Sequence, residues 1–336
     1  MKSGIPTHRS PGQKTYSHLA GQRRVPSEYE LASSNLLYYT KGGFELKVPV
    51  SSFYERYQQG SPLRCADWEL FRDPRETTYT KYTALQRNQE VFVDGILGSI
   101  ESSDYDARLS PQWRRALGEI ISPARYLFHG MQMLAAYLGQ MAPGSRLIMA
   151  ALFQTADELR RVHRFAYRLR QLQLTYADLG ADGKQCWQSD PRWQPCREVI
   201  ERLLVTYDLG EALVGVNLVV KPLIDAFFDQ LAERAAEHGD PLLREILRSL
   251  AADSHWQRSY TAALFQVLFA DPAGDANRAA VAGWLAKWMP RGQGAVAGLA
   301  ALVPGSIEAM TAAAQAQHQA FLLRCGIPAP QGAGAP

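Results

Sequence analysis

The stretch Gln154-Thr155-Ala156-Asp157-Glu158-Leu159-Arg160-Arg161 lies in a long predicted helix and decides what kind of helical protein this chain is. Carboxylate-bridged diiron proteins carry Glu-x-x-His on a helix, because residues three apart share one helix face and can hold a metal together. This chain keeps Glu158, but Arg161 stands where the pattern has its His. A guanidinium is always charged and has no lone pair to offer a metal. The stretch therefore favours the partner of an iron enzyme over the iron enzyme itself.

Outside this stretch, residues 84–290 predict one helix after another. Ser122-Pro123 is predicted to end one helix, and Pro222 to kink or divide another. The turn at 271–275 precedes the last helix. From the spacing of apolar residues, the predicted helices span 82–100, 111–121, 126–141, 146–175, 197–235, 241–269 and 277–289. The predicted fold class is all-α, a helical bundle.

Residues 1–83 differ from the rest, because aromatic residues are dense there while helical periodicity is poor and prolines recur. A disordered tail is poor in aromatic residues, so this segment is expected to pack as an extended, mostly irregular arm. It packs either on another chain or on helices of its own chain. Phe44-Glu45-Leu46-Lys47-Val48 alternates and is compatible with a short strand. Residues 291–336 turn to Ala, Gly and Gln, and 328–336 are expected to be disordered.

Composition and charge are those of an ordinary globular protein. The 336 residues are 46% hydrophobic and 21% charged, and the net charge of +3 is too small to predict nucleic-acid binding. The four cysteines lie far apart and form no Cys-x-x-Cys, so reduced thiols in the cytoplasm fit better than a disulfide framework or a zinc site. Residues 1–10 do not form a secretory signal, and the uncharged run 126–145 is too polar for a membrane span. We expect a cytoplasmic protein without nucleic-acid or membrane partners.

A diiron bundle needs a lone Glu from each of two helices and Glu-x-x-His from each of two others. The helix 126–141 has no acid and offers Met133, while Glu211 is the candidate for the other lone carboxylate. At best two carboxylates without imidazoles remain, which do not make a competent iron site. We therefore predict no catalytic, cofactor-binding or metal residue in this chain. We expect Glu158 and Arg161 to form an ion pair on the helix, with a merely solvated pair as the alternative. The degenerate ligand positions are Met133, Glu158, Arg161, Glu211, Ser254 and Gln257.

Distinctive stretches between residues 14 and 290 carry a family resemblance. They include Thr15-Tyr16-Ser17-His18-Leu19-Ala20, Arg23-Arg24-Val25-Pro26-Ser27-Glu28-Tyr29-Glu30, Phe71-Arg72-Asp73-Pro74, Arg125-Tyr126-Leu127-Phe128-His129 and Asn217-Leu218-Val219-Val220-Lys221-Pro222. In these residues the chain resembles the β subunit, the smaller non-catalytic subunit, of the hydroxylases of bacterial multicomponent toluene, aromatic or alkene monooxygenases. The residues beyond 291 contribute nothing to the resemblance.

The resemblance implies an all-α, ferritin-like helical bundle over residues 84–290 that lacks diiron ligands. It implies an arm over 1–83 that wraps a partner subunit, followed at the other end by the Ala/Gly-rich segment 291–336. The implied partners are a catalytic α subunit with the diiron centre, a small γ subunit and a second β copy in an α2β2γ2 hydroxylase. An effector protein, a Rieske-type ferredoxin with [2Fe–2S] and a reductase with FAD would serve this assembly.

The implied reaction is the hydroxylation of aromatic hydrocarbons such as toluene, benzene or phenol with O2 and electrons from NADH. Three alternatives stay open: the β subunit of an alkene or isoprene monooxygenase, a self-sufficient ferritin-like iron oxidase, and an unrelated helical scaffold protein. The helix 126–141 is the expected packing face towards a second β copy or the α subunit. The residues expected to contact the α subunit are Tyr16, His18, Leu19, Arg24, Tyr29, Tyr38 and Trp68.

Overall fold

Helices provide all the regular structure in the residues that the computed structural model describes, which are 25–34, 49–101 and 105–328. This confirms the predicted all-α class for that part of the chain. The strand predicted at 44–48 and nearly all of the disordered end predicted at 328–336 lie outside the described residues. The α-helices are α1 (Glu28–Ser33), α2 (Pro49–Tyr54), α3 (Tyr79–Glu101), α4 (Pro111–Met141), α5 (Ser145–Thr175), α6 (Gly183–Ser189), α7 (Gln194–Leu204), α8 (Leu209–Leu213), α9 (Lys221–Glu237), α10 (Pro241–Ala270), α11 (Gly274–Ala300) and α12 (Ile307–Arg324).

Four long helices, α4, α5, α9 and α10, form the bundle at the centre of the fold. Short connections at 142–144 and 238–240 make α4 antiparallel to α5 and α9 antiparallel to α10. The rings of Phe128, Phe165 and Phe228 join the two pairs, with centroids 4.9–5.6 Å apart. Packing of this kind is the ferritin-like arrangement that the family resemblance implied. None of the described helices is long and apolar enough to cross a lipid bilayer.

Pro123 does not end a helix, so the prediction of two helices over 111–121 and 126–141 was wrong. α4 is continuous from Pro111 to Met141. A proline inside a helix leaves the carbonyl four residues earlier without its amide donor. Here that carbonyl belongs to Glu119, and the indole N–H of the fully buried Trp193 donates to it at 2.9 Å. A side chain from α7's N-terminus thus replaces the missing backbone donor.

The stretch predicted as one helix over 197–235 is broken. α7 ends at Leu204, and Asp208 caps α8 by accepting from the Glu211 amide at 2.9 Å. A π-helical segment, Val214–Val220, follows and leads into α9 with Pro222 in its first turn. Pro222 was predicted to kink or divide the stretch, but the break lies at 205–208, and next to Pro222 the π-helical segment passes directly into α9.

Pro222 repeats the arrangement found at Pro123. The carbonyl four residues before Pro222 belongs to Leu218, and His318 Nε2 lies 2.6 Å from it. Because a carbonyl only accepts, Nε2 carries a proton. Burial lowers the pKa of His318 and favours the neutral ring. α12 therefore supplies the donor that completes the centre of the bundle.

The helix predicted over 277–289 is longer and is not the last one. α11 continues through Pro290 to Ala300, and α12 follows. Residues 291–324 are dominated by Ala, Gly and Gln, which give no apolar periodicity, although Ala is the best helix former. α12 buries Met310, Ala314, His318 and Phe321 against the bundle.

The described parts of the arm lie on the chain's own helices. Tyr29 is buried, and its hydroxyl accepts from the Asp73 amide at 3.0 Å. Asp73 in turn accepts from the Trp256 indole of α10 at 2.8 Å. Ser61 donates to Asp208 at 2.9 Å, which ties the segment after α2 to the start of α8. Of the two alternatives for the arm, these residues adopt the second, since they pack on helices of their own chain.

The role of Trp193 leads to a prediction. Trp193→Phe removes the donor and leaves a buried carbonyl unpaired, which should lower the free energy of unfolding by about 1–3 kcal/mol. Urea unfolding measures the change. In a Pro123→Ala background the backbone N–H is restored, so the same Trp193→Phe substitution should cost less. Equal costs in the two backgrounds would show that the indole does not replace the missing amide.

Candidate functional site

Four of the six degenerate ligand positions meet in the interior of the bundle. Glu158 and Arg161 of α5 are buried there, and Ser254 of α10 accepts a hydrogen bond from Arg161. Gln257, one turn further along α10, contacts the neighbouring Asp157. The bundle interior is therefore the place where a ferritin-like metal site would lie.

Met133 and Glu211 lie elsewhere, which corrects their assignment. Met133 is 39% exposed on the outer side of α4. The Glu211 carboxylate accepts from the Trp288 indole at 3.0 Å and pairs with Lys287, both on α11. The π-helical segment and the break after α7 change which residues face inward, so counting along one regular helix points to the wrong carboxylate.

A buried ionic cluster fills the interior instead, formed by Glu158, Arg161, Lys221, Asp225 and Arg258. Lys221 Nζ lies 2.6 Å from Glu158 Oε1 and 3.1 Å from both Asp225 oxygens. Arg161 Nη1 donates to Asp225 Oδ1 at 2.7 Å, and Arg258 Nη1 lies 3.7 Å from Asp225 Oδ2. The predicted pair Glu158–Arg161 is present at 3.9 Å and is buried, so the alternative of a solvated pair does not hold.

Sequence reasoning missed Lys221 and Asp225. A signal was available, because these are the two charged residues in the otherwise uncharged run 212–228, four positions apart on one helix face. Charged residues that stand so isolated in an apolar helix are expected to be buried with the rest of it, and buried charges are paired. The missing step was to ask which charges would meet Glu158.

A second carboxylate pair lies beside the ionic cluster. Asp157 accepts from the Tyr82 hydroxyl at 2.8 Å, Gln86 Nε2 at 2.9 Å and Gln257 Nε2 at 2.7 Å. Asp253 shares the Gln86 amide at 2.9 Å and is paired with Arg160 at 2.8 Å. All the donors to Asp157 are neutral, whereas Asp253 has a cation.

The outer helix α3 is held on the bundle largely by such polar contacts. In addition to Tyr82 and Gln86, Glu90 pairs with Arg160 at 2.6 Å and with Arg164. Asp94 pairs with Arg164 at 2.6 Å. Arg160 and Arg164 of α5 therefore face inward and towards α3.

The pKa values of the Asp225 and Asp157 carboxyl groups shift in opposite directions. Burial raises the pKa of Asp225, but Arg161, Lys221 and Arg258 outweigh burial and hold that pKa well below its usual range. Burial, with the charge of Asp253 next in size, raises the pKa of Asp157 well above its usual range. The surroundings thus favour the ionised form of Asp225 and the protonated form of Asp157.

The donor set does not fit a diiron centre. Glu158 and Asp225 are already in contact with Arg161 and Lys221, and neither a guanidinium nor an ammonium ion can coordinate a metal. The central cluster contains no imidazole. Within the described part of the chain, no three His, Cys, Asp or Glu side chains are placed so that they could hold a metal ion. No reaction step is therefore derived through iron in this chain.

The structure describes only some of the residues that were predicted to contact the α subunit. Tyr16, His18, Leu19, Arg24 and Tyr38 lie outside the described residues. Tyr29 is buried in the chain itself and does not face a partner. Trp68 is half-buried in the 3₁₀ turn Trp68–Leu70, whose backbone packs against Gly144 at the α4–α5 connection.

The ionic cluster makes a prediction about stability. Arg161→Met leaves Asp225 and Glu158 with less positive charge in a buried site, so the free energy of unfolding should fall by about 3–5 kcal/mol. The matched control is Arg202→Met, which removes an exposed pair with Glu198 and should cost less than about 1 kcal/mol. Urea unfolding of both variants measures the difference. Similar small losses in both would mean that the buried cluster is energetically neutral.

Asp157 makes a prediction about pH. Its native pKa is raised above the unfolded value of about 3.9, so its contribution to stability is present below that pH and is lost as pH rises through the native pKa. In Asp157→Asn the side-chain amide stays neutral at every pH of the experiment. Relative to the unchanged protein, the variant should gain stability from pH 4 towards 7, by at most about 1.4 kcal/mol per pH unit. A stability difference that does not depend on pH would show that Asp157 is ionised in the native state.

Comparisons with known proteins agree with this geometry. The family model described as methane/phenol/alkene hydroxylase matches residues 50–272. The chain is 37% identical over 285 residues to the hydroxylase component subunit beta of the toluene-4-monooxygenase system of Ectopseudomonas mendocina, covering 82% of this chain and 86% of that protein.

Two solved structures are similar to this fold. A chain of toluene 4-monooxygenase with toluene bound in its resting active site superposes with a TM-score of 0.80 and 33% identity, covering 94% of this chain and 100% of that chain. A chain of phenol hydroxylase from Pseudomonas sp. OX1 superposes with a TM-score of 0.84, covering 98% of each chain, and at 19% identity it supports the fold alone. On the matched residues and on the likeness to the beta subunit, the chain belongs to the methane/phenol/alkene hydroxylase family.

Proposed function

We propose that this chain is the non-catalytic β subunit of the hydroxylase of a multicomponent monooxygenase. The observation that supports this most directly is the ionic cluster, in which side-chain cations occupy the interior that a diiron protein uses for its metal. The family membership supplies the reaction class. The diiron centre then belongs to a larger α subunit, and this chain contributes a rigid helical body on which that subunit is assembled.

The proposed assembly is an α2β2γ2 hydroxylase with a small γ subunit and a second β copy. An effector protein regulates this hydroxylase. A [2Fe–2S] Rieske-type ferredoxin and an FAD reductase supply it with electrons from NADH. The proposed substrates are aromatic hydrocarbons such as toluene, benzene or phenol, because the relative with 37% identity is named for toluene. The proposed location is the cytoplasm.

Within this function the chain's own residues bind and position; they do not react. The ionic cluster and the Asp157–Asp253 pair keep α5, α9 and α10 in one register, because a slip would leave buried charges unpaired. The α subunit supplies the redox chemistry when its iron is bound. The chain therefore affects turnover through assembly of the hydroxylase.

Co-expression tests the proposal. This chain is produced alone and together with the metal-bearing subunit of its hydroxylase, and iron, oligomeric state and toluene hydroxylation are measured for each. We expect substoichiometric iron and no turnover from the chain alone, and both iron and turnover in the complex. Two tightly bound irons with oxygen activation in the isolated chain would refute the proposal. Preferential epoxidation of an alkene by the complex would change the proposed substrate class from aromatic hydrocarbons to alkenes.

The N-terminal arm makes a separate prediction. Deleting residues 1–40 removes Tyr16, His18 and Tyr38, which were predicted to contact the α subunit, so co-purification with that subunit should fall strongly. The control is the unfolding midpoint of the shortened chain, which shows whether the bundle itself is intact. A folded, shortened chain that co-purifies undiminished would reject the arm as the contact.

A further inference from the structure

A small cavity lies in the bundle interior, next to the ionic cluster. Its polar wall consists of Arg161 of α5, Asp225 and Asp229 of α9 and Ser254 of α10, and the remaining wall is apolar. All the wall residues are buried except Asp229 and Ala251, which are half-buried, so the cavity approaches solvent only on that side. We call this space the central cavity and define it by the four polar residues.

The size of the central cavity restricts what it can hold. The space open to the centre of a water molecule is about 10 Å³. A buried water molecule needs roughly 10–15 Å³ of such space. One water molecule therefore fits, whereas a second water, a hydrated ion or an organic molecule does not.

Two hydrogen-bond donors of the polar wall have no acceptor within the described part of the chain. Arg161 donates through Nη1 to Asp225 at 2.7 Å and through Nη2 to the Ser254 hydroxyl, but its buried Nε–H is unpaired. The Ser254 hydroxyl accepts that bond and donates none to the residues described. A buried donor without a partner destabilises the fold, so both groups favour an additional acceptor between them.

Two carboxyl groups of the same wall have acceptor positions left. A carboxylate has about four lone-pair sites, and Asp225 accepts from Arg161 at Oδ1 and from Lys221 at both oxygens. Asp229 accepts from Gln317 at Oδ2, while its Oδ1 accepts from none of the described residues. The wall thus offers two free donors and two acceptors, which are the four partners that one water molecule can use.

The charges of the wall exclude a bare ion. An anion in the central cavity would lie beside the Asp225 carboxylate, and a cation would lie beside the Arg161 guanidinium, in both cases away from bulk water. An empty cavity is the remaining alternative. Cavities that stay empty are apolar, and one side of this cavity is formed by charged and hydroxyl side chains.

We propose that the central cavity binds one water molecule, which accepts from Arg161 Nε–H and the Ser254 hydroxyl and donates to the Asp225 and Asp229 carboxyl groups. This water joins α5, α9 and α10. Arg161 and Ser254 stand at degenerate ligand positions, so the water takes part of the space that a ferritin-like protein gives to its metal. The inference goes beyond the proposed function and holds whichever subunit the chain assembles with.

A crystal structure of the full-length chain, alone or within its hydroxylase, tests the proposal. We expect one solvent peak within about 3.2 Å of Arg161 Nε and of Ser254 Oγ, and within the same distance of Asp225 or Asp229. A second crystal grown with bromide as the halide distinguishes water from an anion, because bromide gives an anomalous signal and water does not. An empty cavity, or an anomalous peak inside it, would overturn the proposal.

Ala251→Val tests whether the water is held by the polar wall or only fills space. Ala251 lines the central cavity, so the added methyl groups compete with the water. Ala252→Val, at the next and exposed position of α10, is the matched control for the cost of valine in a helix. Displacing the water leaves Arg161 and Ser254 unpaired, so the equilibrium constant for urea unfolding should rise at least about tenfold relative to the control.

The crystal structure of Ala251→Val completes the test. Loss of the solvent peak together with the tenfold change supports a bridging water. Persistence of the peak supports it as well, since the water then keeps its place against the added methyl groups. Loss of the peak without any cost relative to Ala252→Val would show that the wall does not need the water, and the proposal would be wrong.

Discussion

The contact between Lys221 and the carboxylates of Glu158 and Asp225 is the constraint on which the bundle depends. Burying carboxylates costs several kcal/mol each unless a positive charge accompanies them. Diiron proteins meet this requirement with metal ions, and here an ammonium and the Arg161 guanidinium do so with side chains of α9 and α5. The same electrostatic requirement is satisfied, but the open coordination positions that oxygen chemistry needs are lost.

The outline of the fold could be predicted from sequence, because its signals are local. Asp240 followed by Pro241 predicted the start of α10, and the Asp240 carboxylate does accept from the Leu243 amide at 3.0 Å. The errors arose where a distant residue changes a local rule. Pro123 alone predicts the end of a helix. The structure shows that the Trp193 indole, 70 positions later, donates a hydrogen bond to the carbonyl that Pro123 leaves without a donor. Nothing near Pro123 in the sequence encodes that donor.

The candidate site was predictable in part for the same reason. Glu158 and Arg161 were found because they share one regular turn of α5. Lys221 was missed because its partner Glu158 lies 63 positions earlier on another helix, and the diiron ligand pattern contains no cation. The inward charges of α5 also explain its apolar outer side, since a helix that directs its ionic residues at α3 and the bundle centre has only neutral residues left for the other side. The cluster and the apolar outer side of α5, with Leu152, Leu159 and Tyr167 exposed, are thus two results of one distribution of residues around a helix.

The hydrogen bond from His318 to the Leu218 carbonyl spans 100 positions of the chain. During synthesis the ribosome delivers α4, α5, α9 and α10 before it delivers α12, and domains fold as their parts become available. Until α12 has been synthesised, the Leu218 carbonyl lacks its imidazole donor. The hydrogen bonding at the centre of the bundle is therefore completed only when this late helix reaches its place.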